Sequence, residues 1–228
     1  MHNGSGVITI VLIGYRLINS KYPTIDMFDD VADSDEFEDL FLLQSLTNPR
    51  LKAEIGDLGL VNQNDIPFGI TGCSYATAPF THINPDGSRF SYGDVGVLYV
   101  ADSMETALAE VTHHQQNYFS KVSGLHYDRI VLRGLKVKFN VGKIHDLTNL
   151  DITDPVYDKQ NYTDARQLGN KLRNAGIETI KYNSVRNEGA ICWAMLTPKN
   201  VQEIIQSTHF ALIWNGEQIT SAESVSLV

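Results

Sequence analysis

The pattern of apolar and polar positions along this 228-residue chain predicts a few helices and many short strands. Residues 7–17 are apolar and rich in β-branched side chains, which indicates a first strand with Tyr15 and Arg16 at its end. An Asn215-Gly216 pair is typical of a hairpin turn. Short apolar or alternating runs predict further strands at 96–100, 129–139, 177–182, 190–196 and 210–214.

Apolar residues at helical spacing mark the first helices. Phe37, Leu40 and Phe41 recur at this spacing behind an acidic segment, residues 29–39, and predict an amphipathic helix. A short second helix is predicted after Pro49. Residues 56–95 contain repeated glycine and proline, so we expect mostly loop and short strands there.

Two later helices carry clearer end signals. Asp102 with Glu105 three residues further on predicts a helix start, and this helix should run to about Asn117. A helix from about Thr163 should stop at Gly176, because glycine is the common residue just beyond a helix end. Few helices among many short strands predict an α+β fold with a compact mixed or antiparallel β core and flanking helices.

Length and composition favour one domain. A chain of 228 residues that is 43% hydrophobic can bury a single sizeable core. We expect one domain over residues 1–228, with a helical and loop insertion at about 26–85 and a short C-terminal extension at about 199–228.

Charge, cysteine content and hydropathy limit the partners and the cellular compartment that we expect. With 27 acidic and 18 basic residues the net charge is −9, which disfavours direct nucleic-acid binding but leaves room for a small anion in an arginine pocket. Cys73 and Cys192 are far apart and form no Cys-x-x-Cys motif, as expected in a reducing cytoplasm. The apolar run 7–13 is too short to span a bilayer and lacks the features of a secretory signal, so we expect no membrane association.

Two polar residues lie between two of the late predicted strands. Ser184 and Arg186 follow one apolar strand and precede the next, so a rigid scaffold can hold them toward a ligand. Ser184 lacks the Gly-x-Ser-x-Gly elbow of hydrolases, and a serine here can also be an ordinary turn residue. Glu110, His113 and His114 do not follow the His-Glu-x-x-His order of zinc enzymes, so no metal site is expected.

Two sequence blocks carry a family resemblance. Gly-Ser-Arg-Phe-Ser-Tyr-Gly at 87–93, continued by residues 96–111, resembles the RES-domain family, which is named for its Arg, Glu and Ser. Residues 176–196, centred on Tyr-Asn-Ser-Val-Arg at 182–186, resemble the serine motif of that family in the expected order. The resemblance implies a fold similar to ADP-ribosyltransferases. It also implies a toxin of a bacterial toxin–antitoxin pair that consumes NAD.

The resemblance extends to single residues between about 15 and 196. It matches Arg16 to the early Tyr-Arg pair, Arg89 to the Gly-x-Arg-aromatic motif, Tyr99 to the Leu-Tyr strand, Glu110 to the Ala-x-Ala-Glu helix and Ser184 to the strand-end motif. The chain departs from the pattern at position 90, where Phe replaces the frequent Trp, and in a longer stretch between the first two arginines.

The chemistry of the nicotinamide–ribose bond suits these residue types. Cleavage builds positive charge on the ribose, which Glu110 can stabilise, and the pyrophosphate needs arginines that keep their charge. Tyr99 can stack on nicotinamide, and the Ser184 hydroxyl can bind the ribose or the amide. Ordinary alternatives are a solvated Glu110, a structural ion pair at Arg16 and a core role for Tyr99. We predict Glu110, Arg89 and Ser184 as catalytic and Arg16, Tyr99 and Arg186 as NAD-binding.

The expected function is that of an NAD-degrading toxin with inorganic phosphate as the acceptor and no prosthetic group. ADP-ribosyl transfer and NAD hydrolysis are alternatives, because all three reactions share the ribosyl-cation chemistry. A non-catalytic nucleotide- or antitoxin-binding module is an alternative of another class. The resemblance further implies a cognate antitoxin, a DNA-binding protein of the Xre type, and a homodimer within the toxin–antitoxin complex. The acidic segment 29–39 is most simply a solvated helix face, although it is also a candidate antitoxin contact.

Overall fold

The computed structural model describes residues 10–22, 25–48 and 50–225. Its strands are β1 (Val11–Asn19), β2 (Leu98–Ala101), β3 (Asp128–Asn140), β4 (Ile144–Asp146), β5 (Thr179–Asn183), β6 (Ile191–Met195), β7 (Val201–Trp214) and β8 (Ile219–Val225). Its α-helices are α1 (Asp26–Asp29), α2 (Ser34–Ser45), α3 (Leu51–Ile55), α4 (Cys73–Thr81), α5 (Met104–Phe119) and α6 (Thr163–Asn174). Short 3-10 turns lie at Leu58–Leu60, Gln63–Asp65 and Pro155–Tyr157.

The eight strands form one sheet in the order β4-β5-β6-β2-β1-β3-β7-β8. β4 and β5 pair in parallel, and the other neighbouring strands pair antiparallel. Helices flank the sheet, so the predicted α+β class with a mixed β core is confirmed. β1 and β2 share a single register pair, Tyr15 with Ala101, and the sheet opens there into two halves of four strands each.

Apolar side chains cover both faces of the sheet. On one face α5 and α6 pack over Leu132, Ile180 and Leu212, and on the other α4 packs over Leu98 and Met195. A smaller third cluster joins the N-terminal helices to the first residue of α4. Its fully or nearly fully buried members are Phe28, Phe37, Leu51, Ile55 and Cys73. Tyr99 packs on the face under α5 and α6, and α5 itself carries Glu110.

The structure corrects three of the sequence predictions. Residues 56–95 contain the helix α4, which was missed because seven of its nine residues are buried, leaving no amphipathic period, and because Pro79 lies inside it. Strand β7 begins at Val201 rather than at residue 210, and two register shifts interrupt its pairing with β3. Arg16 lies within β1 and not at its end, because β1 continues to Asn19 in register with Leu132 of β3. Residues 7–9 of the predicted first strand lie outside the described residues.

Other boundaries agree closely with the sequence. Helix α6 begins at Thr163 and is followed by Gly176 with a left-handed φ of +70°, as the terminal glycine predicted. The single-domain division, with its insertion and extension, stays a prediction. Within the described ranges, no helix is long and apolar enough to cross a bilayer.

Gly169 brings α6 against the hairpin formed by residues 88–91, where Ser88 and Ser91 make an isolated bridge. A Cβ at Gly169 would clash with the carbonyl oxygen of Phe90, which is backbone and cannot move aside cheaply. We therefore expect Gly169→Ala to destabilise the protein by about 1–3 kcal/mol, although helix propensity alone would make it stabilising by up to about 1 kcal/mol. Urea unfolding measures the difference. Gln167→Ala, an exposed change in the same helix, is the control and should shift stability by less than about 0.5 kcal/mol.

Glu178, just before β5, is held by three donors. Its Oε1 pairs with Lys199 Nζ at 2.6 Å, and its Oε2 accepts from the Lys143 N–H and from Asn200 Nδ2, each at 3.0 Å. Desolvation opposes ionisation, but the hydrogen bonds from these groups outweigh it and lower the pKa of Glu178 to about 2.

A depressed carboxyl pKa predicts a pH-dependent contribution to stability. The contribution is present above the unfolded pKa of about 4.3 and is lost as the pH falls toward the folded value. Wild-type protein should therefore lose more stability between pH 5 and 3 than Glu178→Gln, as measured by urea midpoints along a pH series. Parallel pH profiles for the two proteins would contradict this.

Candidate active site

The sheet order brings the ends of β2 and β5 together. Both strands run antiparallel to β6, which lies between them, so their C-terminal ends meet at the same edge of the sheet. β2 leads into α5, which carries Glu110, and β5 leads directly into Ser184. Residues 74 positions apart in sequence thus come into contact.

The central contact is a hydrogen bond from Ser184 to Glu110. Ser184 Oγ donates to Glu110 Oε1 at 2.7 Å and accepts from the N–H groups of Arg186 and Asn187 at 3.2 and 3.1 Å. Its proton and both lone pairs are therefore engaged, since a hydroxyl has one donor and two acceptor sites. The serine holds the carboxylate in place and has no free lone pair for nucleophilic attack.

A second network, comprising Asp102, Thr106 and Asn187, fixes the turn that carries Ser184. Asn187 Nδ2 donates to Thr106 Oγ1 at 2.9 Å, and this hydroxyl donates to Asp102 Oδ1 at 2.8 Å. The other Asp102 oxygen accepts from the Ile191 N–H at 2.7 Å. Together these bonds tie the first turn of α5 to residues 184–190. None of these three residues was predicted to belong to the site, although the spacing of Asp102 and Thr106 at a helix start was a usable signal.

Arg89 is held rigidly beside this region. Its side chain is buried, its Nη1 donates to the carbonyl oxygens of Val156 and Asp158 at 2.9 and 3.0 Å, and its guanidinium lies 4.5 Å from the centre of the Tyr162 ring. None of the ion pairs in the described part of the chain includes Arg89. Neutral groups therefore orient the Arg89 guanidinium, and its positive charge is not cancelled.

Tyr99 ties the hairpin at 88–91 to β2. Its hydroxyl bonds Ser88 Oγ at 2.8 Å and accepts from the Phe90 N–H at 3.0 Å. Burial raises the pKa of Tyr99, so the phenol stays protonated at neutral pH. The hydroxyl is thus occupied within the protein, and the partly buried ring packs against the core under α5 and α6.

Arg16 lies where β1 and β2 separate. Its Nη1 donates to the backbone oxygen of Tyr99 at 3.0 Å, and burial lowers the pKa of Arg16 to about 10, which still leaves it cationic at neutral pH. Arg186, on the other side, donates through Nη2 to the Lys159 carbonyl at 2.5 Å. Within residues 10–22, 25–48 and 50–225 neither arginine has a carboxylate partner.

His113 and His114 lie one turn beyond Glu110 on α5, with their rings 5.7 Å apart. Burial, followed by the charge of Arg186, lowers the pKa of His114. Burial, Arg186 and His114 also lower the pKa of His113, against a smaller opposite effect of Glu110. Both rings are therefore neutral at pH 7, which avoids adding cationic charge beside the arginines.

The structure thus brings Glu110 and Ser184 into direct contact, whereas each of the other four predicted residues has separate partners. Two cavities lie elsewhere: one of about 530 Å³ beside Tyr75 and Ile204, and one of about 140 Å³ between α6 and the segment 90–95. In the described chain, no group of three or more His, Cys, Asp or Glu side chains is arranged to hold a metal ion.

The family model of the RES domain matches residues 66–215, which is more than half of the chain. The protein therefore belongs to the RES domain family. The matched range includes Arg89, Tyr99, Glu110, Ser184 and Arg186, and it starts after Arg16.

Two individual proteins are similar to this chain. Uncharacterized protein y4oC of Sinorhizobium fredii (strain NBRC 101917 / NGR234) is 28% identical over 206 residues, which cover 90% of this chain and 84% of y4oC. The crystal structure of the M. tuberculosis MbcT–MbcA toxin–antitoxin complex contains a chain that is 9% identical, with 88% of this chain and 86% of that chain covered and a TM-score of 0.44.

The network of Asp102, Thr106 and Asn187 makes a direct prediction. Thr106 is fully buried, and Thr106→Val keeps its shape but leaves the Asn187 amide and one Asp102 oxygen unpaired. We expect a loss of about 1–3 kcal/mol and faster hydrogen exchange at the amides of residues 184–190. Thr106→Ser keeps the hydroxyl and should keep the slow exchange of that turn. Equal exchange in Thr106→Val and wild type would show that the network does not fix the turn.

Proposed function

We propose that this protein is an NAD-degrading toxin of a toxin–antitoxin system, which cleaves the nicotinamide–ribose bond with phosphate as the acceptor. The observation that carries the proposal is the hydrogen bond between Ser184 Oγ and Glu110 Oε1, next to Arg186, which has no carboxylate partner in the described chain. Membership of the RES domain family supports the same reaction class.

Glu110 is suited to stabilise the transition state. As the bond to nicotinamide breaks, its electron pair leaves with nicotinamide and positive charge develops on the ribose. Ser184 holds one carboxylate oxygen, and no hydrogen bond to Oε2 occurs within the described residues. This second oxygen is thus available to face the ribose or its hydroxyls. A carboxylate that is oriented before the substrate arrives does not have to reorganise during the reaction.

Arg16, Arg89 and Arg186 are suited to hold the pyrophosphate. Each spends one or two guanidinium hydrogen bonds on backbone carbonyls, which orients the group without neutralising it. In a protein of net charge −9, arginines with no carboxylate partner in the described chain are a favourable place for a bound anion. Tyr99 offers its ring face to nicotinamide, since its hydroxyl is engaged with Ser88 and Phe90.

Phosphate completes the reaction by forming the new bond. A phosphate oxygen attacks the ribose carbon from which nicotinamide has left, which gives nicotinamide and ADP-ribose carrying a phosphate at that carbon. Water or a protein side chain at the same position would give hydrolysis or ADP-ribosyl transfer instead. We further propose a cognate Xre-type antitoxin as the partner, on the family resemblance.

Incubation of the purified protein with NAD, with and without phosphate, tests the reaction. Nicotinamide should be released, and the phosphorylated ADP-ribose product should appear only when phosphate is present. Glu110→Gln should lower the rate by about 10²–10³-fold, because the developing positive charge loses its carboxylate. Glu105→Gln, an exposed change on the same helix, is the matched control and should keep the wild-type rate.

Two results would overturn the proposal. One is the absence of nicotinamide release by folded protein with either acceptor, and the other is a wild-type rate for Glu110→Gln. Calorimetric NAD binding without turnover would favour the non-catalytic nucleotide-binding module.

A further inference from the structure

Arg173, in the last turn of α6, is a partly buried cation with little compensation. Its Nη2 reaches the Gly96 carbonyl oxygen at 3.4 Å, and its Nε is buried with no hydrogen-bond partner among the described residues. Burial lowers the pKa of Arg173, with smaller opposite effects of Asp94 and Tyr99. Neither ion pair of the described chain includes it.

Such an environment is costly for a guanidinium. A charge that loses water must recover the hydration energy from an opposite charge or from several hydrogen bonds. Arg173 recovers one long hydrogen bond to a neutral carbonyl. The missing compensation can come from a bound anion if there is space for one beside the side chain.

The cavity of about 140 Å³ provides this space. It lies between α6 and the segment 90–95, and its polar lining includes Ser91, Asp94, Arg166, Asn170 and Arg173. A water molecule takes up about 30 Å³ of liquid, so the cavity has room for a group of a few non-hydrogen atoms. Nucleotide-sized ligands need cavities of about 300 Å³ or more, which excludes NAD itself.

We propose that this cavity binds a small oxyanion, either inorganic phosphate or a carboxylate, between Arg173 and Arg166. Guanidinium groups are the side chains best matched to such anions, because they donate in a planar fork and keep their charge. Asn170 supplies a neutral polar group at the rim. The site is separate from the Glu110–Ser184 pair and does not depend on the proposed NAD reaction.

An anion in this cavity would also stabilise the hairpin at 88–91. Arg166 donates through Nε to the Ser88 carbonyl at 3.0 Å and through Nη2 to the Asp86 carbonyl at 2.8 Å. The same hairpin carries Arg89 and bonds the Tyr99 hydroxyl. Anion binding at Arg166 and Arg173 would therefore stabilise the backbone that positions Arg89 and Tyr99, two residues of the predicted site.

Asp94 provides the rival explanation. It lines the same cavity and is exposed, so its carboxylate could rotate to pair with Arg173 and neutralise it without any ligand. The two explanations predict different effects of Asp94→Asn on anion affinity and on stability. Removing a carboxylate that repels the anion should tighten anion binding, whereas removing the partner of Arg173 should destabilise the protein.

Titration of the ¹⁵N-labelled protein with phosphate, sulfate or acetate at constant ionic strength, with chloride as reference, tests the proposal. The amide chemical shifts of residues 90–95 and 166–174 should change on binding. Comparison of the three ions shows whether the site prefers a tetrahedral or a planar oxyanion. Arg173→Gln should weaken binding by about tenfold or more, since a charge-assisted hydrogen bond is lost. Arg166→Gln should weaken it in the same direction, and Asp94→Asn should strengthen it.

Lys171→Gln is the matched control, because it removes the same charge from an exposed position two residues away on α6. It should leave the affinity unchanged. The proposal is overturned if no oxyanion moves these amides in wild-type protein. It is equally overturned if Arg173→Gln binds the oxyanion with wild-type affinity, or if Lys171→Gln weakens binding as much as Arg173→Gln does. The remaining contradicting result is an Asp94→Asn protein that is less stable than wild type and binds the oxyanion no more tightly.

Discussion

The hydrogen bond between Ser184 and Glu110 depends on the antiparallel pairing of β6 with both β2 and β5. Because the two outer strands end at one edge of the sheet, a helix and a turn from distant parts of the chain face each other there. Asp102 reinforces this arrangement by bonding the first residue of β6 as well as the first turn of α5. The carboxylate is thus fixed by the sheet itself, which a loop alone could not do as precisely.

Three arginines of the predicted site have neutral hydrogen-bond acceptors, so their positive charge is not cancelled. Arg16, Arg89 and Arg186 bond backbone carbonyls, which orient a guanidinium without cancelling its charge. Burial, and after it the positive charge of Arg186, lowers the pKa values of His113 and His114. Positive charge that is not cancelled, within an acidic chain, is the electrostatic arrangement expected around a bound anion.

Much of the fold followed from local patterns, because apolar runs and helix caps are properties of short segments. The end of α6 followed from Gly176 for this reason, and the start of α5 was predicted to within one residue, since Ser103 and not Asp102 caps it. Helix α4 did not, since burial on nearly all sides removes the helical period. Glu110 and Ser184 were assigned to one site by family resemblance, but their contact depends on strand order, and Arg16 was misplaced because strand ends depend on pairing with β3. No short segment encodes those long-range relations.

The large sequence separation within the site has a consequence during synthesis. Glu110 precedes Ser184 by 74 residues, and Arg16 precedes Tyr99 by 83. At usual elongation rates, Ser184 is added about 4–15 s after Glu110. The site on a ribosome-bound chain is therefore incomplete until Ser184 has been added. For the toxin proposed above, a nascent chain that has not yet reached Ser184 would lack the group that orients Glu110.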